Sequence, residues 1–112
     1  MSLKNICFIL ARPQMGENIG SVARAIKNFN ITNLRIVNPR CDWPNQKALA
    51  TSVGAKDILQ SSKIYNSIEK SIGDLDLVFA STSRIRKVNK KIISILDLRT
   101  KIKKKQKIGI IF

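Results

Sequence analysis

A chain of 112 residues has room for one small domain with a single core. Its formal charge of +14 and pI near 10.4 point to a polyanionic partner, most economically nucleic acid. Lysine, asparagine and isoleucine are abundant together, as an AT-rich genome would also give, so charge alone does not establish that partner. No apolar run approaches 18 residues, and the run Ile6 to Ala11 is too short for a signal-peptide core, so a cytosolic protein without a membrane span is expected. With no histidine and two cysteines of unrelated context, Cys7 in an apolar run and Cys41 in a polar loop, neither a metal site nor a His-based triad nor a disulfide is expected.

In chain order the elements alternate. Ile6 to Ala11 is a continuous apolar run, the pattern of a strand covered on both faces in a parallel sheet. After the break at Arg12-Pro13, the residues Ile19, Val22, Ala23 and Ile26 recur at helical spacing over Asn18 to Phe29. A strand follows at Leu34 to Val37, then a loop with two prolines, Asn38 to Pro44. Gln46 to Ser52 reads as a short helix and Ala55 to Leu59 as a further helical turn. Ile64-Tyr65 is a small strand, and Ser67 to Ile72 a helix ended by Gly73-Asp74. Leu77 to Ala80 and Ile108 to Phe112 are the remaining clear strands. The alternation implies an α/β fold with an open, mostly parallel sheet, right-handed crossovers and helices on both faces. Phe8, Phe29 and Phe79 sit in apolar patterns and are assigned to the core.

Function concentrates in the first helix. Asn18 is placed as its N-cap, and Asn30 is suited to the left-handed conformation that closes the other end. Gly20 costs up to about 1 kcal/mol against alanine in a helical first turn, which suggests that something needs the room. Arg24 follows at i+4, and helix side chains lean toward the N-terminus, so its guanidinium is placed over the bare spot beside Asn18. Free N–H groups at the helix start add an anion-binding character. Ligands of open parallel sheets gather outside the carboxyl ends of the strands. Three stretches converge there, the Arg12 to Gly20 turn, the Asn38 to Pro44 loop and the Ser81 to Arg86 loop.

The residues Asn18-x-Gly20-x-x-x-Arg24, after a strand ending Ala11-Arg12-Pro13 and before Ala25-x-Lys27-Asn28, resemble the first motif of the SpoU (TrmH/TrmJ-like) RNA 2′-O-ribose methyltransferases of the SPOUT superfamily. Further anchors follow in the family's order: Asn33-Leu34-x-x-Val37-x-Pro39, Gly54-Ala55-x-Asp57-Ile58-Leu59 and Ala80-Ser81-Thr82-Ser83-Arg84. The resemblance covers essentially the whole chain as a single unit, 1–112. It implies the N-terminal part of an α/β-knot domain, S-adenosylmethionine as methyl donor and tRNA or rRNA as substrate. It further implies Arg24 and Asn18 as catalytic residues, contacts to RNA through Arg12, Gly20, Arg84, Arg86 and Lys87, and to cofactor through Ser81, Thr82 and Ser83. A homodimer is implied for the complete family member. Arginine keeps its charge at working pH and is an awkward general base. Transient neutralisation in a tightly organised site and electrostatic stabilisation of a developing alkoxide both remain open as roles for Arg24.

The stretch 84–107 carries 11 of the 21 basic residues, among them Lys101, Lys103, Lys104, Lys105 and Lys107, against one acid, Asp97. Part of it is expected to touch RNA, with Arg84 and Arg86 favoured over the lysine run, which also fits a solvated surface. Trp43 is assigned to packing over the sheet edge, with base stacking as the alternative.

Three readings differ in class. The first is the RNA 2′-O-ribose methyltransferase; the second is an inactive RNA-binding remnant that grips through 84–107. The third, a doubly wound nucleotide binder, is disfavoured because Gly16-x-x-x-Gly20 lacks the G-x-G-x-x-G spacing and no acidic residue closes strand two. The family continues beyond a strand like Ile108 to Phe112 into a G-x-E-x-x-G-L motif and an S-L-N motif that tie the knot and bind the cofactor. Neither occurs in these residues, which are therefore read as a truncated form, and a bare apolar last strand would invite aggregation. The 112-residue chain is accordingly expected to bind S-adenosylmethionine weakly or not at all, and calorimetric titration giving micromolar affinity would contradict this.

Overall fold

The computed structural model describes residues 5–80, 92–94 and 106–112. Six strands form one sheet: β1 (Ile6–Ala11), β2 (Asn33–Val37), β3 (Lys63–Tyr65), β4 (Leu77–Ala80), β5 (Ile92–Ser94) and β6 (Ile108–Ile111). Their spatial order is β3-β2-β1-β6-β4-β5, and every neighbouring pair is parallel. Among the described residues four helices lie between β1 and β4: α1 (Gly16–Lys27), α2 (Gln46–Thr51), α3 (Lys56–Ser61) and α4 (Ile68–Ile72). This is the open parallel α/β sheet that the strand–helix alternation predicts.

Side chains alternate across the sheet, and each face has its own core. Ile6, Leu10, Leu34, Ile36, Phe79 and Ile108 point to one face, where Ile19, Ala23 and Ile26 of α1, Ala48 of α2 and Ile58 of α3 cover them. Cys7, Ile9, Val37, Val78 and Ile111 point to the other, under Ile72 of α4 and Leu75. Trp43 packs, partly buried, against the first core, as expected for a ring over the sheet edge.

Three expectations are corrected. The last strand is not an edge: β6 lies between β1 and β4, and Phe112 N–H donates to the Ile9 carbonyl (2.9 Å). The sheet's edge positions fall instead to β3, three residues long and fronted by Lys63, and, among the described residues, to β5. Strand β5 itself arises inside the basic stretch, where Ile92-Ile93 supplied a β-branched pair that the lysines masked. Finally, Phe29 is 66% exposed rather than core. Asn30 adopts φ 61°, Asn30 N–H donates to the Lys27 carbonyl (2.9 Å) and Ile31 N–H to that of Ile26 (3.0 Å). That Schellman closure swings Ile31 into the core and leaves Phe29 outside.

The second face holds a buried cation. Arg35 on β2 is only 7% exposed, and its guanidinium donates two bonds to the Asp74 carboxylate (2.6 and 2.8 Å) and one to the Ser71 carbonyl (2.5 Å). It also lies over the Tyr65 ring, 5.9 Å from the centroid. These bonds tie the end of α4 and its following turn to the sheet. The Arg35 hydrogen bond holds the Asp74 carboxyl down at about 2, against about 4 in an unfolded chain. The folded state thus favours the ionised carboxylate, so this contribution is fully present above about pH 4 and is lost as pH falls through about 2. Asp74→Asn should lower stability by about 1–3 kcal/mol at neutral pH, toward the lower figure because Asp74 is half-exposed. Urea titrations between pH 2 and 7 should show a shallower acid-side loss in the variant than in the wild type.

Candidate functional site

At the carboxyl edge of the sheet, β1 and β2 end in the same way. The residue after each strand takes a left-handed backbone, Arg12 at φ 54° and Asn38 at φ 46°. Arg12 N–H donates to the last carbonyl of β2, Val37 (2.7 Å), and Asn38 N–H to that of β3, Tyr65 (2.9 Å). Asparagine takes this conformation readily and arginine rarely, so the turn after β1 is set by its neighbours rather than by local preference. Arg40 N–H then donates to the Pro13 carbonyl (2.8 Å), which joins the two loops. Two of the three stretches expected to converge at this edge therefore do so. The third, with Ser81, Thr82, Ser83, Arg84, Arg86 and Lys87, lies outside the described residues, as does most of the basic stretch 84–107.

Helix α1 departs from expectation at its start. It begins at Gly16, with Met15 as N-cap and no side-chain cap bond. Asn18 is a first-turn residue whose N–H donates to the Met15 carbonyl (3.1 Å), and its side chain is exposed. The capping role assigned to Asn18 is thus filled by backbone alone. Arg24 is also exposed and makes no side-chain hydrogen bond or ion pair among the described residues. Asn18 and Arg24 stand six residues apart, about 9 Å along the axis and roughly a third of a turn around it. No hydrogen bond joins their side chains among the described residues. Arg12 is exposed at the crest of the β1 turn.

Gly20 serves a different purpose from the one its sequence suggested. It is buried, and a Cβ there would overlap Thr51 Oγ1 and the Ala48 carbonyl and lie 3.0 Å from Ser52 N. One turn earlier, a Cβ at Gly16 would overlap the Asn45 side chain. The room in the first turn is taken by α2. The Thr51 hydroxyl donates across this seam to the Glu17 carbonyl (3.1 Å). At the far end of α1, Lys27 Nζ donates to the Gly54 carbonyl (2.6 Å) and to Asp57 (3.0 Å), and that bond holds the Asp57 carboxyl below the usual range. The anchor Gly54-Ala55-x-Asp57 is therefore the structural partner of the motif-one lysine.

Where the seam opens at the carboxyl edge there is a cleft of about 540 Å³, lined by Gln14, Glu17, Arg40, Cys41, Asp42 and Lys47, with Gly16 and Asn45 among the residues that line it. Sequence reasoning placed its loops and missed its charged members. The available signal was Arg40 directly after the Pro39 exit of strand two. Among the described residues no group of acidic, cysteine or histidine side chains could hold a metal ion, and no helix is long and apolar enough to cross a membrane.

An open parallel sheet with a glycine-seamed helix pair and a polar carboxyl edge defines the fold class, and solved structures show which one. The chain superposes on a probable methylase family protein from Haemophilus influenzae with a TM-score of 0.80 at 30% identity, over all of this chain and 46% of that one. It superposes on TrmJ from Z. mobilis with a TM-score of 0.77 at 34% identity, over 95% and 48%. These are the SPOUT methylase fold. A model of the SpoU rRNA Methylase family matches residues 5–112, and the chain belongs to that family. A tRNA (cytidine-2'-O-)-methyltransferase TrmJ of Methanocaldococcus jannaschii is 40% identical over 77 residues, 69% of this chain and 33% of that protein. An uncharacterized tRNA/rRNA methyltransferase of Haemophilus influenzae is 31% identical over 111 residues, 98% of this chain and 45% of that protein. The chain thus spans a third to a half of the length of these relatives.

The glycine seam gives a direct test. Gly20→Ala should push α2 away and destabilise the fold by about 1–3 kcal/mol, despite alanine's better helix propensity. An exposed control, Ser21→Ala, should change stability by no more than about 0.5 kcal/mol. Thermal or urea unfolding of the two variants checks the contrast.

Proposed function

We propose that this chain forms the N-terminal part of a TrmJ-like, S-adenosylmethionine-dependent methyltransferase that methylates ribose 2′-hydroxyls of tRNA or rRNA. The observation that carries the reading is the family match over residues 5–112, supported by relatives named as tRNA 2′-O-methyltransferases and by a TrmJ structure of the same fold. S-adenosylmethionine would supply an electrophilic methyl group. The residues assigned to it, Ser81, Thr82 and Ser83, lie outside the described ones, so the mechanism concerns the RNA side.

Arg24 is exposed on the surface of α1 and enters no ion pair among the described residues. It acts as a cation that stabilises the developing 2′-alkoxide and the adjacent phosphate, which needs no loss of its proton. Because Asn18 stands on a different stripe of α1, it contacts a different group of the RNA, and its exposed amide both donates and accepts. Arg12, Arg84, Arg86 and Lys87 bind phosphate and set the register of the strand. The complete enzyme acts as a homodimer, and the partner subunit's surface completes a site that α1 alone leaves open.

The test supplies the rest of the domain, as in the longer relatives, and measures ribose methylation of tRNA by mass spectrometry. Arg24→Ala should reduce the rate by about 100-fold or more while unfolding behaviour stays within about 0.5 kcal/mol of the wild type. Salt-dependent tRNA binding without methylation, in the completed protein, would favour the binding-only reading instead.

A further inference from the structure

We propose that the cleft between the amino ends of α1 and α2 seats one nucleotide of the RNA substrate, with the base inside and a flanking phosphate on Arg40 and Lys47. The inference rests on the RNA-modifying function proposed above. At about 540 Å³ the cleft has the size of an ordinary small-ligand site. Its cations are free: Arg40 and Lys47 are exposed and neither enters an ion pair among the described residues.

The other polar groups argue for a nucleotide over a bare anion. Glu17 and Asp42 also line the cleft, and two carboxylates would repel free phosphate or sulfate. They accept hydrogen bonds from exocyclic amines of a base, and the amide of Gln14 both donates and accepts. Two cations for the backbone and acceptors for the base edge match a nucleotide held by both its parts. The surrounding frame is braced by packing and hydrogen bonds. Asn45 Oδ1 accepts from Ala48 N–H (3.1 Å) and lies against Gly16 with no space to spare, while Arg40 N–H is bonded to the Pro13 carbonyl. The cleft is therefore preformed, so little ordering is needed on binding.

Cys41 lines the cleft and reports on it. The other cysteine, Cys7, is buried, and burial raises its thiol to about 11, so a thiol reagent at neutral pH reads Cys41 alone.

The experiment measures alkylation of Cys41 by iodoacetamide in the full 112-residue chain, free and with saturating tRNA, together with tRNA binding across a salt series. Bound tRNA should slow alkylation at least fivefold, and inorganic phosphate at the same ionic strength should not. Arg40→Gln with Lys47→Gln should weaken tRNA binding about tenfold and reduce the salt slope by about 1 to 2, with an unchanged unfolding midpoint. If tRNA binds but Cys41 reacts at the free rate, or the double variant binds like the wild type, the cleft is not the nucleotide seat and the proposed methyltransferase function is untouched. Protection by inorganic phosphate would likewise overturn the nucleotide assignment. If tRNA does not bind at all, both the cleft assignment and RNA recognition by this chain fall.

Discussion

Gly16 and Gly20, one turn apart on α1, bring that helix against Asn45, Ala48 and Thr51 of the α2 region at a separation that a side chain would forbid. The cost of glycine in a helix is modest, about 1 kcal/mol each, and the close approach offsets it by burying Ile19, Ala23 and Ala48 in one core. It also fixes where the two helices begin. Because α1 starts from the turn after β1 and α2 from the loop after β2, their seam decides how the loops of the carboxyl edge meet. The bond from Arg40 N–H to the Pro13 carbonyl then closes the junction. Change the seam, and both the cleft and the bearing of α1 change with it.

The two faces of the sheet are organised by different forces. On the α1 face, close helix contact and apolar burial do the ordering, with Lys27 bridging to Gly54 and Asp57 at the far end. That exposed bridge is half in solvent on both sides and contributes little energy by itself. Its value is positional, since it spans from α1 to the turn between α2 and α3. On the α4 face, a guanidinium buried under a short helix orders the sheet through three directed bonds. Removing its carboxylate would strand a charge in low dielectric. Arg35 thus carries no free charge for a polyanion, whereas Arg12, Arg24, Arg40 and Lys47 enter no ion pair among the described residues. Counting cations along the chain would treat all five alike.

The fold was legible because its strands are buried on both faces and so appear as apolar runs, and because asparagine and proline mark the turns. Ile6 to Ala11, Leu77 to Ala80 and the Asn30 closure needed nothing beyond local pattern. Three things were not local. The position of β6 inside the sheet depends on strand order, which no periodicity encodes. Phe29 looked like core because the helical pattern runs into it, and only the left-handed Asn30 decides that Ile31 is taken instead. Gly20 was correctly singled out as a place where room is needed, but a sequence does not say who occupies the room. A glycine that admits a neighbouring helix and one that admits a ligand have the same letter.

This last ambiguity bears on how the family motif is understood. Motif one reads as a single constellation of asparagine, glycine and arginine, yet the structure divides it into two jobs. Glycine, with Lys27 and the Asp57 segment, builds the scaffold, while Asn18 and Arg24 stay exposed on separate stripes of the finished helix. The spacing follows from the first job as much as from the second, since residues i and i+4 around a seam must keep their register for the helix to dock. A site on such a helix is preorganised at no further cost, because the direction of Arg24 is inherited from packing it takes no part in. What the helix cannot provide is a second wall. Arg24 stands about 12 Å along α1 from its first residue, away from the carboxyl edge and facing solvent. Any chemistry there therefore requires a surface brought from beyond the described residues.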